Sequence, residues 1–227
     1  MRADLEHPTL HIEKIDRGLR DLHADFPLES GVLQEPIEVQ GTYVRALRHW
    51  IDHDQPTPPK LLPADRVQRL AALDALGVTA AGIGVYPCSA SATGIRLCNG
   101  THTPISAMCA VDALAIAALW QSLARLDTQC HACHCPIVFD IGPGSTPRSE
   151  EEYPEVSIHL RSRQSGAEQP ACSSLCTDIY FLCSRCAVTL PLGACSTLQE
   201  AQIIGQQFFA FQHALLRAVP DRVENTL

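Results

Sequence analysis

Over the first eighty residues, apolar positions recur at helical spacing. In "IEKIDRGLRDLHADF", Ile12, Ile15, Leu19 and Leu22 fall three or four residues apart, the repeat of an amphipathic helix with one buried stripe. "TYVRALRHWI" predicts a second helix. "PADRVQRLAALDALGV" predicts a third, with Pro63 near its start and Gly77 at its end, because proline suits a first helical turn and glycine a C-terminal cap. The stretch "DHDQPTPPKLLP" between the last two is a proline-rich connector.

From Ala81 the pattern changes. "GIGVYPCSAS" and "GIRLCNGTHTPIS" predict short strands with Gly/Asn turns. "CPIVFDIGPG" predicts a strand closed by a turn. "EVSIHLRSR" alternates Val156, Ile158 and Leu160 with polar residues, as a half-buried strand does. "TDIYFLCS" is a further strand rich in β-formers. Two helices complete the set. One is the apolar "ISAMCAVDALAIAALWQ", Ile105 to Gln121. The other is the closing "LQEAQIIGQQFFAFQHALLRAV", with Ile203, Phe208, Phe211 and Leu215 toward a core. "SEEEYPE" is expected as a solvated loop, and no internal repeat is evident. The expectation is an α+β fold in two domains. Residues 1–80 form a helix-turn-helix-like bundle, packed on residues 81–227, a mixed β-sheet with flanking helices.

Composition narrows the function. With 46% hydrophobic and 19% charged residues, the 227-residue chain has an ordinary globular balance. A net charge of −8 and acidic residues scattered through the N-terminal helices argue against a nucleic-acid partner. The longest apolar run, Met108 to Trp120, is broken by Asp112 and falls short of the roughly 20 residues of a bilayer span. The N-terminus is charged and lacks the apolar core of a secretory signal, so a cytoplasmic location with no membrane partner is expected. There the eleven cysteines, all beyond residue 87, suit metal or thiol chemistry better than disulfides.

Asp112 needs a reason to lie among Ala, Val, Leu and Ile, because a carboxylate in apolar surroundings is costly. Cys109 stands three residues earlier, so a helix would present both side chains on one face. A thiol in the first turns also feels the positive end of the helix dipole, which favours thiolate. The pair therefore offers a nucleophile or soft-metal ligand beside a group able to move a proton.

Around this pair the motifs fall in a recognisable order. "AMCAVDAL" resembles the active-site helix of the organomercurial (alkylmercury) lyases, and "VYPCSASATGIRL" the strand region that precedes it. Cys130 in "DTQCHACHCPIVFDIGPG" falls at the spacing of a further cysteine of that family. "CTDIYFLCS" resembles the strand bearing the second catalytic cysteine, and "QEAQIIGQQF" the closing helix. The resemblance covers roughly residues 81–217, and the family's N-terminal domain is helical and winged-helix-like. It implies protonolytic cleavage of carbon–mercury bonds, with Cys109, Cys176 and Asp112 as both catalytic and mercury-binding residues. Thiolates are the soft donors mercury needs, and the carboxylate relays a proton from thiol to carbon. It further implies no required cofactor, Hg(II) as bound product, small thiols for its release, and mercuric reductase as a partner. Ser106 departs from the family, where many members carry tyrosine.

The remaining cysteines leave alternatives open. "CHACHC" (Cys130, Cys133, Cys135) and "CSRC" (Cys183, Cys186) form two knuckles that fit a tetrahedral zinc site, with His131 and His134 as substitute ligands. Buried or incidental thiols and a mercury relay are the other readings. Cys172 or Cys183 could replace Cys176, since a strand would place Cys172 on the same face. Cys88, Cys98, Cys195, His7, His49 and His213 carry no partner spacing. The rival function is a non-catalytic zinc- or mercury-binding protein on the same fold, and a transcription regulator is a third.

Overall fold

The computed structural model describes residues 11–100, 103–144, 155–160, 170–191 and 194–219. Four helices come first: α1 (Ile12–Asp25), α2 (Leu28–Leu33), α3 (Ile37–His53) and α4 (Ala64–Ala72). In α1 the buried stripe narrows to Ile15 and Leu22, while Ile12 lies in solvent. The short α2 was not predicted, since six residues are too few to display a period. Helix α3 starts five residues before "TYVRALRHWI", directly after Pro36. Helix α4 ends at Ala72 and not at Gly77. Asp74 takes a left-handed φ of 57°, and the chain continues as strand β1 (Leu76–Thr79). Gly77 sits inside that strand opposite Gly84; the β-branched Val78 and Thr79 favour the extended state.

Strand β1 opens a seven-stranded sheet with β2 (Gly82–Val85), β3 (Cys88–Ser89), β4 (Arg96–Cys98), β5 (Ile105–Ala107), β6 (Ala124–Gln129) and β7 (Pro136–Ile141). The order is β1-β2-β3-β5-β4-β6-β7. A second sheet, β10-β8-β9, contains β8 (Val156–His159), β9 (Tyr180–Cys183) and β10 (Cys195–Thr197). Every pairing among the described residues is antiparallel, which makes the fold α+β and narrows the expected mixed sheet to an antiparallel one. Strand β6 was missed because Ala124, Leu126 and Thr128, its buried face, make a faint apolar alternation. Most of "SEEEYPE" lies outside the described residues.

Five helices follow the first sheet's early strands: α5 (Ala110–Trp120), α6 (Ala171–Ser174), α7 (Ser184–Ala187), α8 (Leu198–Phe208) and α9 (Ala210–Ala218). The expected Ile105–Gln121 helix is shorter than predicted. Ile105, Ser106 and Ala107 belong to β5, and Cys109 is the extended N-cap of α5. From Ala110 to Leu119 every residue of α5 is buried, as befits a helix that is apolar all round. The closing helix breaks at Phe209 into α8 and α9. Its inward residue is Ile204; Ile203 is only half-buried.

Helix α8 locks α5 in place. A Cβ on Gly205 would lie 2.7 Å from the Val111 carbonyl oxygen in the first turn of α5. Gly205→Ala is therefore expected to push the helices apart and lower stability by about 1–3 kcal/mol, read from the denaturant midpoint. At its start α8 carries a capping box, Thr197 with Glu200. The buried Glu200 carboxylate also meets His11 Nδ1 at 2.9 Å and Lys14 Nζ at 3.3 Å, tying α1 to α8. The core is continuous from Tyr43 and Trp50 on α3, through Ile83, to α5.

Candidate functional site

At the N-terminus of α5, three side chains predicted from two widely separated motifs converge. Cys109, Asp112 and Cys176 have ligand atoms all within 4.8 Å of one another, and all three residues are buried. Cys109 caps the helix with φ −151° and makes no side-chain cap bond. Asp112 is the third helical residue, so cap and carboxylate face each other as in a capping box, and the Cys109 backbone N–H donates to the carboxylate.

Cys176 arrives differently from expectation. It lies in a single 3-10 turn, Cys176–Asp178, ahead of β9 and not on the strand. The turn is anchored through Ile179 at its C-terminal end. The Ile179 N–H donates to the Cys176 carbonyl at 3.2 Å, and the Ile179 carbonyl accepts from the Ala110 N–H at 3.2 Å. One backbone bond beside Cys109 thus fixes the turn that carries Cys176. Cys172 sits exposed on α6 and borders the same large cavity as Cys176, but it is not one of the converging three.

Burial dominates the electrostatics. It pushes the Asp112 carboxyl up to about 7, against hydrogen bonds from the Cys109 thiol, the Cys176 thiol and the Cys109 N–H that favour the charged form. The Cys176 Sγ lies 3.8 Å from Asp112 Oδ2. Burial also drives the Cys109 thiol well above its ordinary value, reinforced by its neighbours. For Cys176 a hydrogen bond from Cys109 favours thiolate, but burial and the nearby Asp112 charge outweigh it. The thiolate bias expected from the helix terminus is therefore overridden, and both sulfurs rest as thiols beside a carboxyl poised to accept or donate a proton near neutral pH.

This has a measurable cost. A carboxyl whose folded pKa is raised binds its proton longer in the folded state than in the unfolded chain, so stability falls as pH rises from about 4 to 7. Asp112→Asn is expected to remove that slope and to stabilise the fold above pH 7 by up to about 4 kcal/mol. Denaturant titrations across that range would measure it; an unchanged pH slope would contradict it.

Two spaces meet at the trio. A cavity of about 760 Å³ is bordered by Cys109 and Cys176, with Thr93, Ser106, Arg96 and Asp127 among its polar residues. Arg96 and Asp127 pair at 2.6 Å. One wall carries His131 stacked on Tyr180 with centroids 3.9 Å apart, and His159 stacks on Tyr180 in turn at 4.7 Å. On the far side a void of about 20 Å³ touches Cys109, Asp112 and Cys176 and is closed by Leu22, Phe26, Tyr86 and Phe208. The buried Tyr86 hydroxyl has no hydrogen-bond partner among the described residues. Sequence reasoning missed these four because apolar residues that wall a site look like core residues.

The other cysteines sort by place. Cys130, Cys133, Cys183 and Cys186 form a second group, with their sulfurs within 4.8 Å of one another. Cys130 borders the large cavity but is not with the trio, and Cys183, once an alternative to Cys176, belongs to this second group. Cys135 is not one of these four, but its thiol hydrogen-bonds with Cys133 and Cys183 at the edge of the group; His131 and His134 belong to neither group. Cys88 is buried on β3, while Cys98 and Cys195 are half-buried.

The alkylmercury lyase family model matches residues 89–190, which bears out over that stretch the resemblance drawn from the sequence. Among solved structures, the crystal structure of the mercury-bound form of MerB2 shares the fold. It has a TM-score of 0.57 and 17% identity, and the match covers 86% of this chain and 98% of that one. No curated protein matches.

Proposed function

We propose, taking the alkylmercury lyase match as the premise, that this chain cleaves the carbon–mercury bond of organomercurials. The products are a hydrocarbon and Hg(II) held by Cys109 and Cys176. The observation that carries this reading is the convergence of two buried thiols on one buried carboxyl with a raised pKa. The similar fold of a mercury-bound protein supports it.

The Asp112 carboxylate takes a proton from one thiol, and the thiolate so formed binds R–Hg⁺. The second thiol adds to mercury and loses its proton to the surroundings, which weakens the bond to carbon. The carbon–mercury electron pair then takes the proton held on Asp112, and R–H departs. Two thiols and R–Hg⁺ become R–H, a mercury bis-thiolate and one released proton, with no change of oxidation state and no added cofactor. Thiolates supply the soft donors that mercury prefers, and the carboxyl supplies general acid–base catalysis. Because the first step needs Asp112 ionised, kcat/KM is expected to fall as pH drops below about 7.

In this reading residues 81–227 are the catalytic unit, and the N-terminal helical region lends Leu22 and Phe26 to the closed wall of the site. Small thiols remove Hg(II), and mercuric reductase is the enzyme fitted to receive it. A reducing cytoplasm would keep the eleven cysteines from pairing as disulfides. No described helix is long and apolar enough to cross a membrane.

Reduced protein given phenylmercury and excess small thiol is expected to release many equivalents of benzene, measured by gas chromatography. A second reading, a non-catalytic soft-metal binder, is favoured only by the second cysteine group. Retained mercury without benzene would select it.

A further inference from the structure

We propose that Cys130, Cys133, Cys183 and Cys186 hold one structural zinc ion as a tetrahedral tetrathiolate, separate from the mercury chemistry. All four sulfurs lie within 4.8 Å of one another. Cys133 Sγ and Cys183 Sγ are 3.7 Å apart. Four sulfurs at about 2.3 Å from a central zinc form a tetrahedron with edges of about 3.8 Å, so this edge already has the required length. A disulfide would need about 2.05 Å.

The backbone around the sulfurs is built as two knuckles. In the first, Cys130-His131-Ala132-Cys133, the chain turns sharply. The His134 N–H donates to the Cys130 carbonyl at 2.9 Å, and the Cys130 N–H donates to the Cys135 carbonyl at 2.9 Å. His134, directly after the second cysteine, takes a left-handed φ of 57°, a conformation that needs a local reason in a residue with a side chain. Bringing both sulfurs of the knuckle to one point is such a reason. In the second knuckle, Cys183 ends β9 and caps α7, and Cys186 lies within that helix. The Cys183 N–H points at Cys130 Sγ at 3.4 Å, the kind of donor that supports a metal-bound thiolate. His131 stacks on Tyr180, and neither His131 nor His134 is among the four grouped ligands.

The placement has a structural purpose. The first knuckle is the tip of the β6–β7 hairpin in the large sheet, and the second follows β9 in the small one. Zinc there would staple the two sheets behind the cavity wall formed by Phe181, Tyr180 and His131. It would also take Cys130 out of the pool of free thiols beside the active trio.

The test is metal analysis of the full chain, purified without chelator, together with the visible spectrum after cobalt(II) exchange. One zinc per chain and the intense absorption of tetrahedral cobalt tetrathiolate are expected. Zinc should be lost in Cys133→Ser/Cys186→Ser and kept in Cys109→Ser/Cys176→Ser. The reverse pattern, iron in place of zinc, or a metal-free chain whose four thiols all titrate would overturn the proposal. So would loss of zinc from Cys135→Ser with retention in Cys186→Ser. The wild-type spectrum needs no variant to fold, and none of these readouts needs lyase activity. A benzene-releasing chain without zinc would sink this proposal alone, whereas a zinc-loaded chain that releases none would sink only the proposed function.

Discussion

Asp112→Asn is expected to keep organomercurial bound at the two thiols and to slow hydrocarbon release by about 10²–10⁴-fold, the usual range for a positioned general acid–base. The amide keeps the size and much of the hydrogen bonding of the carboxyl, so Cys109 and Cys176 should stay in place. What disappears is the group that can hold a proton between thiol and carbon. The same substitution should raise stability above pH 7, because it removes a buried charge. Activity and stability moving in opposite directions would separate a proton-transfer role from damage to the fold. Single-turnover benzene release and denaturant melts on one preparation would measure both, and undiminished release would remove Asp112 from the mechanism.

Cys109→Ser should be at least as damaging, with a loss on the order of 10³-fold or more. A hydroxyl is a hard donor with no useful thiolate equivalent, so mercury loses half of its soft coordination. The fold should not suffer. Cys109 occupies the N-cap of α5 without making a cap bond, and serine is a better N-cap than most residues, favoured by roughly 0.5–1 kcal/mol. Cys176→Ser should show a similar loss from the opposite side of the site. If the thiols act as one bidentate clamp, the double variant should be little worse than either single one. Losses that multiply would mean the two sulfurs act independently.

What the sequence disclosed, and what it hid, follows from the range over which each signal acts. Cys109 and Asp112 were legible because their three-residue spacing and their apolar setting are local facts. Cys176 was found through a motif, but its support was misjudged. A 3-10 turn before a strand has no periodicity, so the strand seemed to extend back to it. The boundaries that slipped, at β5 and α5, at α4 and β1, and at Phe209, lie where apolar residues suit helix and strand alike and a single backbone angle decides. Asp74 at φ 57° is one such decision. The closed wall of Leu22, Phe26, Tyr86 and Phe208 could not be read at all, since it joins α1, α8 and a loop far apart in the chain. The cysteine knuckles were visible as spacing; which four of the five sulfurs come mutually close was not.

The central claim is that one buried carboxyl and two buried thiols convert R–Hg⁺ to R–H and bound Hg(II). The most direct measurement is a single turnover without added thiol, in which reduced protein and one equivalent of phenylmercury are mixed, and benzene and protein-bound mercury are counted together. The account predicts one benzene released and one Hg(II) retained per chain, with neither sulfur replaceable by oxygen. Mercury retained as intact phenylmercury, with no benzene, would contradict it.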